Sequence, residues 1–144
     1  MKKEISDFLQ KNRVGVLTTL LSDGSPHSSA LHYSYRIDPL EFYFSVDKTS
    51  RKCQELLNKK EGKAAVVIGF SEVDWLTLQM EGLIQILTNR DEISGAKGIH
   101  YTKHPNSKKF ENDPNTIFLR FKPTWLRYSN LFVVPPEIIL LENP

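Results

Sequence analysis

The residues that point most directly to chemistry form a short basic turn, DKTSRK at 47–52, between a strand-like and a helix-like run. Two hydroxyl residues, Thr49 and Ser50, precede two cations, Arg51 and Lys52, at the predicted start of a helix. Cations there oppose the helix dipole, which favours negative charge. A bound oxyanion would remove the conflict, because N–H groups, hydroxyls and cations together bind phosphate. A solvated basic turn with a hydroxyl cap has the same sequence, so both interpretations stay open.

The composition is that of one folded domain. With 144 residues, 40% apolar and 25% charged, the chain is long enough for one core and too short for two ordinary domains. A formal net charge of +2 argues against nucleic-acid binding through a basic surface. No apolar run has the length of a membrane span. The single Cys53 cannot form an intrachain disulfide and no leader-like segment precedes the first helix, so we expect a cytoplasmic protein.

Hydrophobic periodicity predicts a β-rich chain with peripheral helices. The predicted strands are 14–20, 27–36, 41–46, 64–70, 75–87 and 116–128, and the predicted helices are 2–12, 50–60 and a third capped by Asn89. Residues 105–115 form a polar loop in this interpretation. Six strands with meander connections predict a mainly β fold, a small six-stranded antiparallel barrel in a single domain over 1–144.

Four stretches of sequence, in this order, carry a family resemblance. They are VLTT at 16–19, DGSPH at 23–27, FYFS at 42–45 leading to SRK at 50–52, and QMEG at 79–82. With the predicted elements they resemble the flavin-binding split-barrel proteins related to pyridoxamine 5′-phosphate oxidase, in particular the small general-stress-protein members. The resemblance implies a split β-barrel that forms a homodimer and holds flavin mononucleotide (FMN) at the subunit interface.

The resemblance also implies which residues bind the cofactor. The basic turn matches the phosphate-binding turn of the family, the strand after the first hairpin matches the one along the isoalloxazine ring, and the end of the third strand matches the ribityl-phosphate contact. Thr77 stands where the oxidase has a ring-contacting glutamine. The implied cofactor-binding residues are Ser29, Ala30, Leu31, His32, Phe44, Ser45, Val46, Thr49, Ser50, Arg51, Lys52 and Thr77.

Two departures from the oxidase argue against its reaction. The oxidase has an arginine and a lysine at the positions of Ser29 and Ser34, and neither cation is present here. Trp125 and Arg127 do not lie in the sequence context of its C-terminal substrate motif. Our first hypothesis is therefore an FMN-dependent oxidoreductase of unknown catalytic residues, with a small-molecule redox substrate and NAD(P)H as a candidate electron donor.

The second hypothesis is a non-catalytic protein that binds or senses flavin, or binds haem as some split-barrel relatives do. The chain has four histidines, His27, His32, His100 and His104, and each is a candidate axial ligand. His100 and His104 have the i, i+4 spacing of a shared metal site, but no carboxylate or cysteine motif completes one, so we predict no metal.

Two apolar stretches near the C-terminus, 131–134 and 138–141, exceed what one small core needs. They would either form part of a dimer surface, within a tail of about 129–144, or pack back on the barrel of their own chain.

Overall fold

The computed structural model describes residues 1–144 and consists of eight strands, three α-helices and two short 3-10 segments. The strands are β1 (Val14–Leu20), β2 (Pro26–His32), β3 (Ser34–Arg36), β4 (Glu41–Asp47), β5 (Glu61–Ile68), β6 (Leu76–Ile86), β7 (Thr116–Asn130) and β8 (Glu137–Glu142). The helices are α1 (Lys3–Lys11), α2 (Gln54–Lys59) and α3 (Arg90–Lys103), and the 3-10 segments are Arg51–Cys53 and Pro105–Phe110. The predicted mainly β class is confirmed, with two strands more than expected.

The strands form one antiparallel sheet that curls into a barrel. Its order is β2-β1-β5-β6-β7-β4-β3, and β8 pairs with β7 outside this path. Only Tyr33 separates β2 from β3 in the chain, so a single run pairs first with β1 and then with β4. The prediction of one strand over 27–36 was wrong in this respect, because the chain changes partner at Tyr33. The predicted meander was also too simple, since β4 pairs with β7 rather than with β5.

Helices close the two ends of the barrel. At one end α1 buries Ile5, Phe8 and Leu9 in the core, and the Tyr33 hydroxyl donates to the carbonyl oxygen of Leu9 at 2.8 Å. At the other end the segment around α2 buries Cys53 and Leu56. We call these the α1 end and the α2 end.

The outer surface of the barrel has a covered half and an open half. The third helix, α3, packs on β3 and β4, where Ala96 joins Tyr43 and Phe118 in a small second core. As predicted, Asn89 caps α3 by accepting from two backbone N–H groups. No element covers the outward side of β1, β5 and β6, on which Val67 is 37% and Leu83 41% exposed. We call the outward side of β2, β1, β5, β6 and the β7–β8 pair the open face.

The two apolar stretches near the C-terminus have different environments in the structure. The second forms β8 and buries Ile139 in the main core, while Leu140 on the same strand is 59% exposed on the open face. The first stretch, 131–134, lies in the connection before β8, where Phe132 is 70% and Val134 95% exposed. The tail therefore packs partly on its own barrel. None of the three helices has the length and apolar composition needed to cross a membrane.

Candidate functional site

The basic turn is organised by the Asp47 carboxylate. Its Oδ1 accepts from the backbone N–H of Thr49 at 2.8 Å and from the Thr49 hydroxyl at 2.7 Å. The Ser50 hydroxyl donates to the carbonyl oxygen of Asp47 at 2.6 Å. The hydroxyl and N–H bonds from Thr49 hold the pKa of Asp47 below its usual range, and the charges of Lys52 and Lys48 add to this. Both hydroxyl hydrogens thus point into the turn.

The start of the helix differs from the sequence expectation. Ser50 precedes the 3-10 segment Arg51–Cys53, but its side chain makes no capping hydrogen bond. The α-helix begins only at Gln54 and is six residues long. The two cations therefore precede α2 instead of lying in its first turn, and the dipole argument made from the sequence does not apply.

Neither cation of the turn forms an ion pair. Arg51 is exposed and Lys52 is partly exposed, and neither takes part in any of the six ion pairs of the fold. The backbone beside them is fixed, because the Thr19 hydroxyl donates to the carbonyl oxygen of Lys52 at 3.1 Å. The structure thus holds two cations without a direct ion pair at the α2 end, against β1 and β2, with the carboxylates of Asp47 and Asp23 close enough to interact with Lys52 and Arg51 at longer range.

Strand β2 presents small side chains next to this turn. Ala30 and His32 are exposed on the open face, whereas Ser29 and Leu31 are half-buried on the other side of the strand. The Ser29 hydroxyl oxygen is buried without a hydrogen-bond partner. Ser34 shares the outward side but lies under α3, and is completely buried.

The remaining predicted residues are more dispersed. The side chains of Phe44 and Val46 belong to the main core, 0% and 7% exposed, so only Ser45 of this group has an accessible side chain. Thr77 is half-buried on β6, level with the start of β1 and hence near the α1 end. Since the basic turn is anchored five residues further along β1, the two assigned regions lie roughly 16 Å apart along the strands. An elongated ligand is needed to contact both.

Three histidines meet beside β2, an arrangement that the sequence indicated only for His100 and His104. The ring of His104 lies 4.8 Å from that of His32 and 5.1 Å from that of His100, centroid to centroid. His104 donates from Nε2 to the carbonyl oxygen of Tyr33 at 2.6 Å, and its buried Nδ1 has no partner. Nδ1 of His100 is 2.9 Å from the Ser34 hydroxyl. Only the closure of the barrel brings His32 into this group, so residue spacing carries no signal for it.

Burial favours the neutral form of His100 and His104. Together with the charges of His104, His32 and Lys103, it lowers the pKa of His100 to about 4. The pKa of His104 is also lowered by burial, although its bond to the Tyr33 carbonyl opposes the shift. The thiol of Cys53 lies in the core, and burial raises its pKa.

The residues of the basic turn fit a cofactor phosphate. Two unpaired cations supply the charge, and the partnerless Ser29 hydroxyl lies on the strand that packs against the turn. A sequence model of the family described as Pyridoxamine 5′-phosphate oxidase matches residues 1–130. The chain belongs to this family. No match was found among the curated proteins.

Solved structures of low sequence identity share the fold of this pyridoxamine 5′-phosphate oxidase family member. General Stress Protein 26 from Bacillus anthracis aligns with a TM-score of 0.68 and 24% identity, over 96% of this chain and 97% of the other. A haem binding protein from Mycobacterium smegmatis aligns with a TM-score of 0.74 and 15% identity, over 99% of this chain. The chain spans 60% of the length of that protein. The haem storage protein HutZ from Vibrio cholerae gives a TM-score of 0.72 and 12% identity, over 85% of this chain and 89% of HutZ.

Proposed function

We propose that this protein binds FMN and acts as an oxidoreductase on a small molecule other than pyridoxamine phosphate. The observation that carries the proposal is the pair of cations without an ion pair, Arg51 and Lys52, held in a fixed turn at one end of the open face. Hydrogen bonds from cations to phosphate are among the strongest in proteins, and the family is one of flavin binders.

The rest of the cofactor would run along the open face from the basic turn towards Thr77. The exposed, small side chains of Ser28 and Ala30 let a flat ring approach β2 closely. Thr77 would contribute one hydroxyl at the far end, where a longer side chain would make more contacts. When bound, the flavin supplies the redox chemistry, and the protein supplies binding, orientation and exclusion of water.

We propose that a second copy of the chain covers the open face and the cofactor. Large apolar side chains are exposed there, including Val67, Leu83, Ile138 and Leu140, and contiguous exposed apolar surface is typical of interfaces. An isologous homodimer would bury this surface on both protomers and enclose the flavin between them. With one free thiol and no disulfide, we place this activity in the reducing cytosol.

A flavin titration followed by reduction tests the proposal directly. The purified protein is titrated with FMN and with riboflavin while flavin fluorescence is monitored. Preferential binding of FMN supports the phosphate contact, and reduction of the bound flavin by NADH or NADPH under anaerobic conditions supports an oxidoreductase. A protein that does not alter flavin fluorescence refutes the flavin proposal, and a bound flavin that no nicotinamide donor reduces refutes NAD(P)H as the donor.

A second candidate function, haem binding or sensing, is suggested by the two relatives described as haem proteins. The histidine contacts narrow the candidate axial ligands. His100 and His104 are 1% and 2% exposed and make hydrogen bonds to Ser34 and Tyr33, which leaves His32, exposed on the open face, and the half-buried His27. A Soret band after addition of haemin that disappears in His32→Ala favours this function, and an unchanged haemin spectrum excludes it.

A further inference from the structure

A cleft of about 520 Å³ opens at the α1 end of the barrel, between α1, β3 and α3. Gln10, Ser34, Tyr35, Thr102 and Lys103 supply its polar lining. It lies at the opposite end of the barrel from the basic turn, and it involves none of the residues assigned to FMN. What it would bind is therefore a separate question from the proposed function.

The Lys103 ammonium group in this cleft lacks an acidic partner. Its Nζ donates to the carbonyl oxygen of Leu9 at 2.8 Å and lies 4.1 Å from the ring centroid of Tyr33 and 4.8 Å from that of Tyr35. An ammonium group has three N–H donors, so two remain for the tyrosine rings, solvent or a ligand in the cleft. Fully buried lysines are almost always paired, and Lys103 is half-buried. Here no carboxylate forms an ion pair with Lys103.

The surroundings of Lys103 are positive as well. Arg13 lies next to it, with Nη1 3.5 Å from its carbonyl oxygen, and also forms no ion pair. Burial lowers the pKa of Lys103 to about 8, and the charge of Arg13 contributes in the same direction. None of the groups that shift this pKa is acidic, so an anion in the cleft would relieve an existing electrostatic cost.

A neutral donor lies at the cleft as well. Gln10 uses its amide oxygen to accept from the Tyr35 hydroxyl at 3.0 Å, which leaves its amide N–H groups without a protein partner. The Ser34 hydroxyl is completely buried and shared with Nδ1 of His100, so it belongs to the floor of the cleft and does not reach a ligand.

We propose that this cleft binds a small molecule through an oxyanion group, either a carboxylate or a phosphate. The anion pairs with the Lys103 ammonium group and accepts a hydrogen bond from the Gln10 amide. Tyr35, half-exposed at the rim, packs against the remainder of the molecule. This site is independent of the basic turn, and the protein would therefore bind two anionic groups at opposite ends of one barrel.

Isothermal titration of the full chain with sodium phosphate and with sodium acetate, against sodium chloride at equal ionic strength, tests the proposal. We expect saturable binding that Lys103→Met weakens at least tenfold. Lys97→Met is the matched control, because Lys97 is another partly exposed lysine on α3 without an ion pair. The double variant Arg51→Ala/Lys52→Ala separates the two sites: it should lose the phosphate binding of the basic turn and keep the anion binding that Lys103→Met weakens.

A further variant covers the case in which loss of the Leu9 contact destabilises Lys103→Met. Gln10 is exposed on α1, and Gln10→Ala should fold normally and bind the anion several-fold more weakly. If only phosphate binds, the ligand of the cleft carries a phosphoryl group. If both anions bind, a carboxylate group is sufficient for binding in the cleft. The proposal is overturned if neither anion binds saturably, if Lys103→Met and Gln10→Ala bind with unchanged affinity, or if binding is lost in the double variant of the basic turn.

Discussion

The hydroxyl group of Thr19 donates a hydrogen bond of 3.1 Å to the carbonyl oxygen of Lys52. Thr19 is 1% exposed and faces the inside of the barrel, so the bond reaches from the core to the turn that carries both unpaired cations. Together with the Asp47 contacts it fixes the backbone of that turn on both sides. The direction in which Arg51 and Lys52 leave the turn is therefore set before any ligand binds, which lowers the entropic cost of binding.

The double variant Arg51→Ala/Lys52→Ala should weaken FMN binding by about 2–4 kcal/mol, because each charged hydrogen bond contributes roughly 1.5–3 kcal/mol with incomplete additivity. Fluorescence titration gives the affinity. Lys59→Ala/Lys60→Ala, which removes two exposed cations at the end of α2, should leave it unchanged. Equal affinity in both double variants would disprove the phosphate role of the turn.

Val67→Asp should convert the proposed dimer into a monomer. Val67 is 37% exposed at the centre of the open face, and a charge buried there on both protomers would raise the dimer dissociation constant by at least about tenfold, since like charges in an interface cost several kcal/mol. Leu57→Asp is the control, because Leu57 is 40% exposed on α2 and lies outside the open face. Analytical ultracentrifugation measures the dimer dissociation constant of each variant. A dimer that survives Val67→Asp with unchanged affinity uses another surface.

Acid should destabilise the protein through His100. Its pKa is about 4 in the folded protein and near 6.5 in the unfolded chain, so the unfolded state binds more protons between these values. The free energy of unfolding therefore falls as the pH drops from about 6.5 to about 4, with a contribution of about 3 kcal/mol from this residue. Urea unfolding at each pH gives the free energy of unfolding of the unmodified protein and of His100→Gln. The pH dependence of the difference between the two is the contribution of His100.

The matched variant for this experiment is His27→Gln, on β2 and outside the histidine cluster. Its unfolding curve should follow that of the unmodified protein over the same pH range. If His100→Gln retains the full acid sensitivity, the destabilisation comes from other groups, and the neutral state of His100 contributes nothing to stability.

Two glycine substitutions should change stability in opposite directions. Gly69 has φ +100°, and a Cβ there would lie 2.2 Å from the carbonyl oxygen of Leu76, so Gly69→Ala should cost about 2–4 kcal/mol. Gly95 lies within α3 with no atom near the added Cβ, and Gly95→Ala should stabilise by about 0.5–1 kcal/mol. Thermal unfolding followed by circular dichroism compares the stability of the two variants. A loss of stability in both would contradict the prediction for Gly95.

Elements with a clear period could be predicted from the sequence. The alternation of β1 and β6 and the Asn89 cap of α3 are local properties, and the structure agrees with them closely. The partner change at Tyr33 and the pairing of β4 with β7 depend on contacts between distant residues, which periodicity does not encode. The strand predicted over 116–128 continues through Pro123 as expected, and its pairing with β6 shifts register between Glu81 and Gly82.

The site was predictable only in part for the same reason. The cations of the basic turn stand out because they are adjacent in the chain, and their lack of acidic partners is a property of the fold. The side chains of Thr49 and Ser50 were interpreted as free donors, whereas Asp47 takes both hydrogens. Sequence reasoning also missed the cleft at Lys103, whose lining comes from α1, β3 and α3, three segments far apart in the chain.

Strand β7 has a consequence for how the barrel can form during synthesis. It pairs with β6 along nearly its whole length, with β4 through its first half and with β8 through its second half. Until this strand has left the ribosome, β4 and β6 each have an edge with unpaired backbone groups, which are prone to association with other chains. The barrel can thus close only after about nine-tenths of the polypeptide has been synthesised. A nascent chain paused before residue 116 would expose these strand edges and would be a substrate for a chaperone.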